Sequence, residues 1–498
     1  MKKNVIPWQI KVTEGSLALV LALFLGISGL PADAQQKLSL TQCRNMALTH
    51  NQKLQTAQEQ SEMATDLRKS AFTQFLPSFD FTGSYLRTNK QIQVLSEDKY
   101  LPVFKFNPAT NSLVPDLFTI GGQPVLMEDG NPLFNSYAYL PKDQLKMGSK
   151  NVYLLNMGLT QPIFLGGKLQ SLYRTAKLNE QISSLNYKLE TTDVIYKSDE
   201  AYWRVVTVKE KLKVAQEYKK LLDKLVADLT EIKTEGIITS NDVLKARVKQ
   251  SEADLMLFKA QNGLKLSKMA LNQQIGLPID QDVDVEDVPV ADTVMVINDS
   301  YRNQAIAQRP EIEMLKKSVQ LTAEAKNVAR SRFLPDIALT ANYTMSNPNP
   351  YNGFVNEFGG DWNLGVIARV PIFHWGDRVH TMNAAKHAQR ISELKLDEAQ
   401  EMISLQVQQA INLYNEAHLK INLAEITFEQ AKQNLDQTNS NFQEGMAKST
   451  DVLEAQLLWQ KAYNELIDAK SDFRMQETNV QKVLGNLGNK DTEVRIQK

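Results

Sequence analysis

Four short stretches of the chain alternate apolar and polar residues with a period of two. Over 78–88, Phe79, Phe81 and Tyr85 share a face with Gly83, opposite Asp80, Thr82 and Ser84. Over 151–161, Tyr153, Leu155, Met157 and Leu159 oppose Asn156 and Thr160. Over 336–345, Ile337, Leu339, Ala341 and Tyr343 oppose Asp336, Thr340 and Asn342. Over 361–370, Trp362, Leu364, Val366, Ala368 and Val370 oppose Asn363 and Arg369. Each stretch predicts a β-strand of about nine to eleven residues, the length at which a tilted strand crosses a bilayer. A half-buried hairpin of a small soluble sandwich carries the same alternation. Four such strands with aromatic residues near their ends, in a chain with little other apolar surface, favour the membrane reading.

Two long stretches follow the helical period instead. Residues 168–235 and 377–444 contain neither Gly nor Pro, 68 residues in each. Val205, Val208, Leu212, Ala215, Tyr218, Leu222, Leu225, Leu229 and Ile232 step by threes and fours along the first. Val407, Ile411, Tyr414, Ala417, Ile421, Ala424, Phe428, Ala431 and Leu435 do so along the second. This spacing predicts two helices of roughly 100 Å, at 1.5 Å per residue, packed along a coiled-coil seam. Helices over 240–275 and 450–485 follow. So narrow a stripe on so long a helix needs neighbours along its whole length.

The elements occur twice. Phe75-Leu76-Pro77 returns as Phe333-Leu334-Pro335, and Tyr85 as Tyr343, at an offset of 258. From Pro162 and its counterpart Pro371 onward the offset is 209, through Gly167 and Gly376, Gly236 and Gly445, and Asp242-Val243-Leu244 and Asp451-Val452-Leu453. The fall of 49 places the extra residues of the first copy in its strand–strand connection, 89–150, rich in Pro, Gly, Asn and aromatics. The chain therefore divides into a first repeat at 35–277, an acidic linker at 278–296, a second repeat at 297–486 and a polar tail at 487–498. Each repeat reads helix, strand, outer loop, strand, long helix, tip, helix. Pro162 and Pro371 are expected to end strands, since proline cannot donate to a ladder. Gly167 and Gly376 then free the backbone before the helix. Together these four residues mark two strand-to-helix joints.

Composition is that of a folded protein of 498 residues, 43% apolar and 23% charged. A formal net charge of −1 gives no bias towards nucleic acid. The first 34 residues read as a signal peptide: Lys2, Lys3 and Lys11, an apolar run from Leu17 to Leu30, then Ala32-Asp33-Ala34. Their removal leaves a net charge near −2. No later stretch approaches the roughly 20 apolar residues of a membrane helix. Cys43 alone excludes a disulfide framework and a multi-cysteine metal site; in "LSLTQCRNMAL" it reads as a buried residue of the first helix. His50, His374, His380, His387 and His418 lack metal-ligand spacing, and there is no phosphate-binding or dinucleotide glycine pattern. No catalytic, cofactor-binding or metal residue is assigned, and the chain is not read as an enzyme.

Strand number then becomes a constraint. Four strands cannot close a membrane barrel, whose known minimum is about eight, and an open edge in lipid leaves backbone groups unsatisfied at several kcal/mol each. The fold expected is mostly α with membrane β, closed only by several copies, each strand pair feeding a helix outside the membrane.

"TQPIFLGGK" with its echo, "TEGIITSNDVLKAR" with "QEGMAKSTDVLEAQ", and the tandem order of elements resemble the outer membrane efflux protein family of TolC-like channels. The resemblance covers nearly all of the chain beyond residue 34. It implies a homotrimer: a 12-stranded β-barrel in the outer membrane of a Gram-negative bacterium, continuous with a 12-helix periplasmic tunnel. It implies a passive exit duct of a tripartite efflux pump or type I secretion system, joined to an inner-membrane transporter through a periplasmic adaptor (membrane fusion) protein. The family's motif makes the tips the periplasmic mouth. Gly236, Ile237, Ile238, Gly445, Met446 and Ala447 are then adaptor-docking candidates. Asp451 and Glu454, three apart on one helix face, and Asp242 are then candidate gate carboxylates, since rings of carboxylates select cations. Taken alone, Gly236 and Gly445 are helix C-caps, while Asp242 and Asp451 support the first turn of the next helix. Phe442 and Ala447 depart from the family's pattern, which has a Tyr hydroxyl and an Arg for polar links across the mouth. Closure by packing is the expectation here.

The reading from a different class is a periplasmic coiled-coil structural or adhesin-like protein without a pore, its hairpins forming a soluble sandwich. A hydrolase using the tip carboxylates lacks a base–nucleophile constellation.

Overall fold

The computed structural model describes residues 37–89, 91–147, 149–287 and 299–488. The signal peptide read at 1–34, the second half of the acidic linker (288–296) and most of the polar tail lie outside the described residues. The described residues divide into two compact units: those within 37–65, 178–287, 299–320 and 390–488 form one, and those within 66–177 and 321–389 the other.

The second unit holds the membrane-length strands. β1 (Ser78–Arg87), β2 (Asn151–Leu165), β3 (Asp336–Asn347) and β4 (Gly359–Arg369) form one antiparallel sheet in the order β4–β3–β2–β1. Its register explains the alternation. Phe81, Met157, Tyr343 and Trp362 lie in one row across the four strands, and Phe79, Leu159, Ala341 and Leu364 in the next. Apolar residues therefore share one face from edge to edge. The polar residues meet on the other, where Thr344 Oγ1 donates to Asn156 Oδ1 at 2.9 Å and Asn342 Nδ2 donates to Asn363 Oδ1 at 3.2 Å. Within the unit the apolar face is bare, with Phe79 70% and Trp362 71% exposed. The soluble sandwich required a second sheet over this face, and none covers it among the described residues. β1 and β4 are each paired on one side only.

Pro162 does not end its strand. The ladder between β2 and β3 passes it by a register shift between Pro162 and Phe164 and continues to Leu165. A bulge accepts the missing donor. Pro371 does lie past the end of its strand, β4 stopping at Arg369. The connection at 89–150, expected to be a loop, carries short antiparallel ribbons: Lys99–Pro102 with Tyr137–Leu140, and Phe104–Asn107 with Ser112–Pro115. Strands of four residues are too short for alternation to announce them.

The first unit is helical. Its elements are α1 (Leu40–His50), most of α2 (Gln52–Thr73), most of α3 (Lys168–Thr234) and α4 (Ser240–Ile275). In the second repeat they are α5 (Asp299–Gln308), half of α6 (Pro310–Ser331), most of α7 (Asp377–Gln443) and α8 (Ser449–Val483). The stripes read from the sequence are the seams. Val205, Ala215, Tyr218, Leu222, Leu225 and Leu229 of α3 are buried, as are Val407, Ile411, Tyr414, Ala417, Ile421 and Leu435 of α7. Lys37–Leu38 pairs in parallel with Asp284–Val285, tying the start of the described chain to the segment after α4.

One polar group anchors this core. The Asp199 carboxylate on α3 is fully buried and accepts from Arg44 Nε at 2.8 Å, Arg44 Nη2 at 2.6 Å and Thr478 Oγ1 at 3.2 Å. It thereby joins α1, α3 and α8. Cys43, beside it, is buried, and its thiol pKa is pushed up to about 12, first by burial and then by the Asp199 charge. Removing one partner of a buried pair leaves the other charge uncompensated. Arg44→Met is expected to cost about 3–5 kcal/mol, read as a lowered thermal midpoint of the purified protein; an unchanged midpoint would mean that the carboxylate finds water.

Candidate functional site: the paired helical tips

Both tips belong to the helical unit and repeat the same local design. Gly236 and Gly445 adopt left-handed φ values of +78° and +76°, which only glycine enters without a steric penalty. At the first tip, Gly236 N–H donates to Lys233 O and Ile237 N–H to Ile232 O. At the second, Gly445 N–H donates to Phe442 O and Met446 N–H to Asn441 O. Each pair is a Schellman cap, closing the last carbonyls of a long helix.

The next helix is capped from the other side. Asp242 Oδ2 accepts from the Thr239 backbone N–H at 3.2 Å and from Thr239 Oγ1 at 2.8 Å. The Thr239 hydroxyl, then its N–H, holds the Asp242 carboxyl below its ordinary value of 3.8. Asp451 occupies the equivalent capping position in the second repeat, accepting from the Lys448 backbone N–H at 3.0 Å and Thr450 Oγ1 at 3.3 Å. Two of the three candidate gate carboxylates are thus engaged locally. Glu454, one turn beyond Asp451 and exposed, has no hydrogen bond or ion pair among the described residues.

The tips share an apolar cluster. Leu225, Val226, Leu229, Val243, Ala246 and Val452 are its buried members, with Ile238, Phe442 and Leu453 packed against it. Ile238 is therefore partly spent on packing, while Ile237 and Met446 stand largely exposed; Ala447 is half-buried. Leu244 and Val248, exposed on the outer face of α4, extend the apolar surface away from the first tip. Sequence reading missed them, although their spacing of four, off the buried line of Val243 and Ala246, was the available signal. The joints lie in the sheet unit: Gly167 and Gly376 both take left-handed φ values, +81° and +82°.

No helix among the described residues is long and apolar enough to cross a membrane. No group of three or more candidate metal ligands occurs among them.

A fold of paired repeats, membrane-length strands and capped helical hairpins is that of an outer membrane channel. The family model of outer membrane efflux proteins matches residues 129–277 and 301–486, and the chain belongs to that family. The alkaline protease secretion protein AprF of Pseudomonas aeruginosa is 22% identical over 349 residues, covering 69% of this chain and 71% of that one. The outer membrane protein TolC of Escherichia coli is 22% identical over 420 residues, 81% of each chain. Among solved structures, the Campylobacter jejuni CmeC outer membrane channel superposes with a TM-score of 0.68 at 18% identity, over 100% of this chain and 97% of that one.

The depressed Asp242 pKa has a sign. Its contribution to stability is present above the ordinary Asp value and is lost as pH falls through the lowered folded one. The thermal midpoint of Asp242→Asn should lie below that of the parent at neutral pH, and the gap should close on acidification below about pH 4. A gap that persists into strong acid would detach it from ionisation.

Proposed function

We propose that the chain is a passive exit duct of the Gram-negative outer membrane, serving a tripartite efflux pump or a type I secretion system. The observation that carries this is the sheet of a family member: four membrane-length strands, an apolar face left bare, and both edges unpaired. Unpaired edges in lipid are costly, so copies must join edge to edge. Three copies give a 12-stranded barrel, with the long helices continuing as a 12-helix periplasmic tunnel. Exposed apolar residues of α7, among them Met402, Leu405, Leu419 and Leu423, supply a second stripe for neighbouring helices. The signal peptide read at 1–34 accounts for export.

Relatives named for protease secretion stand beside a family named for efflux, so polypeptide and small-molecule cargo both fit. Transport energy comes from an inner-membrane transporter, reached through a periplasmic adaptor. Gly236, Ile237, Ile238, Gly445, Met446 and Ala447 are the proposed docking surface. Asp451, Glu454 and Asp242 are the proposed lining of the mouth; around a threefold axis, Asp451 and Glu454 make a ring of six carboxylates.

In planar bilayers, Asp451→Ala combined with Glu454→Ala is expected to raise single-channel conductance or abolish block by multivalent cations. Unchanged conductance and block would remove the gate assignment. The duct itself is tested by fractionation and gel mobility. A barrel stays with the outer membrane and shifts on boiling, whereas a poreless coiled-coil protein does neither.

A further inference from the structure

The two strand-to-helix joints are built alike but end differently. In the first, β2 runs to Leu165 beside β3, with Phe164 opposite Ile337, and Gly166 follows at φ +60°. There is no room for a side chain at Gly166: an added Cβ would lie 2.7 Å from Leu334 Cβ and 2.8 Å from Ser331 O. Applying the 209-residue offset to Gly166 gives Trp375, again left-handed at φ +45°. A bulky residue in that region is a genuine outlier, and strain of this kind persists where surroundings hold it. Yet Trp375 is 89% exposed, its ring edge-on to Phe373 at 4.8 Å. Nothing among the described residues covers it.

The repeat says what should. β2 packs on the start of β3, and the 258-residue offset turns Leu334 and Ser331 into Leu76 and Thr73 at the start of β1. β1 is one open edge of the sheet and β4, which precedes Trp375, is the other. The start of β1 carries a cleft of about 560 Å³ lined by Thr73, Leu76, Pro77, Thr160 and Pro162, and Leu76 there is 51% exposed. The equivalent place at the start of β3 is taken by the chain's own Phe164 to Gly166. The cleft at β1 is the same seat without its occupant, and it stands at the edge where a second copy must pair.

We infer that Trp375 of one copy seats in the cleft beside Leu76 of the next, an aromatic anchor locking neighbouring subunits below the sheet. The inference rests on the edge-to-edge closure proposed above and adds its register. Transferring the β2–β3 pairing sets Val366 of one copy opposite Tyr85 of the next, and Phe373 opposite Phe79. Both pairings bring apolar face to apolar face, as inside the chain. The occupant is a second copy, since the knob follows one open edge and the seat begins the other. Lipid facing the same belt is the competing occupant.

The test uses the full-length protein in detergent. Leu76→Cys with Trp375→Cys, treated with a short bis-maleimide, should give covalent oligomers on boiled denaturing gels. Neither single variant should, because Cys43 is buried. Trp375→Ala should dissociate on heating at temperatures where the parent oligomer persists, and Trp375→Phe should restore part of that resistance. A double-cysteine oligomer that stays uncrosslinked, together with an unaltered dissociation temperature for Trp375→Ala, would put the indole against lipid and overturn the anchor while leaving the channel standing. A parent protein that runs as a single chain in every condition would overturn the channel and the anchor with it.

Discussion

The unpaired backbone at the two edges of the four-stranded sheet is the constraint from which the rest follows. A backbone N–H or C=O turned towards hydrocarbon has no water to fall back on, and a chain with four strands cannot satisfy its own edges by closing. Bare apolar side chains on one face fix which side meets lipid, and the row of Phe81, Met157, Tyr343 and Trp362 shows that the pairing register and the alternation are one fact. Shift any strand by one residue and its apolar set moves to the polar side.

Duplication meets this constraint economically, because the joint that links the repeats within a chain has the same design as the joint needed between chains. It also explains the asymmetry. The inner joint can close as tightly as Gly166 against Leu334 permits, since both sides belong to one chain and meet at high effective concentration. In the proposed edge-to-edge closure the outer joint holds separate molecules together, and there the repeat has Trp375 in place of Gly166. Large rigid aromatic residues in desolvated seats carry a disproportionate share of interface energy.

Much of the fold was legible because it rests on short-range periodicity. Period two in 78–88, and threes and fours along 168–235, survive without knowledge of tertiary contacts; six of the nine positions in each long stripe are buried where the helices meet. Features set by distant partners were not legible. The Asp199 carboxylate draws on Arg44, 155 residues away, and Thr478, 279 away, so nothing local marks it as the group that ties three helices together. Pro162 looked like a strand end because the bulge that carries β2 past it depends on β3. At the tips, the capping roles of Gly236, Gly445, Asp242 and Asp451 followed from spacing, whereas the packing of Ile238 and Phe442 between the two hairpins did not.

The local capping of Asp242 and Asp451 also constrains what a gate built from them can be. A carboxylate held by the N–H of its own N-cap residue is fixed in place and has little freedom to swing towards a passing ion. Glu454 is exposed and bound to nothing among the described residues, on a longer side chain one turn away. For the proposed mouth, the electrostatics then divide into a fixed part and a movable part. Altering Asp451 removes charge and loosens the helix start together, so its effect on conductance mixes field with geometry. Altering Glu454 changes charge and leaves the cap intact, and the separation of those two effects distinguishes a gate that filters ions from one that simply opens.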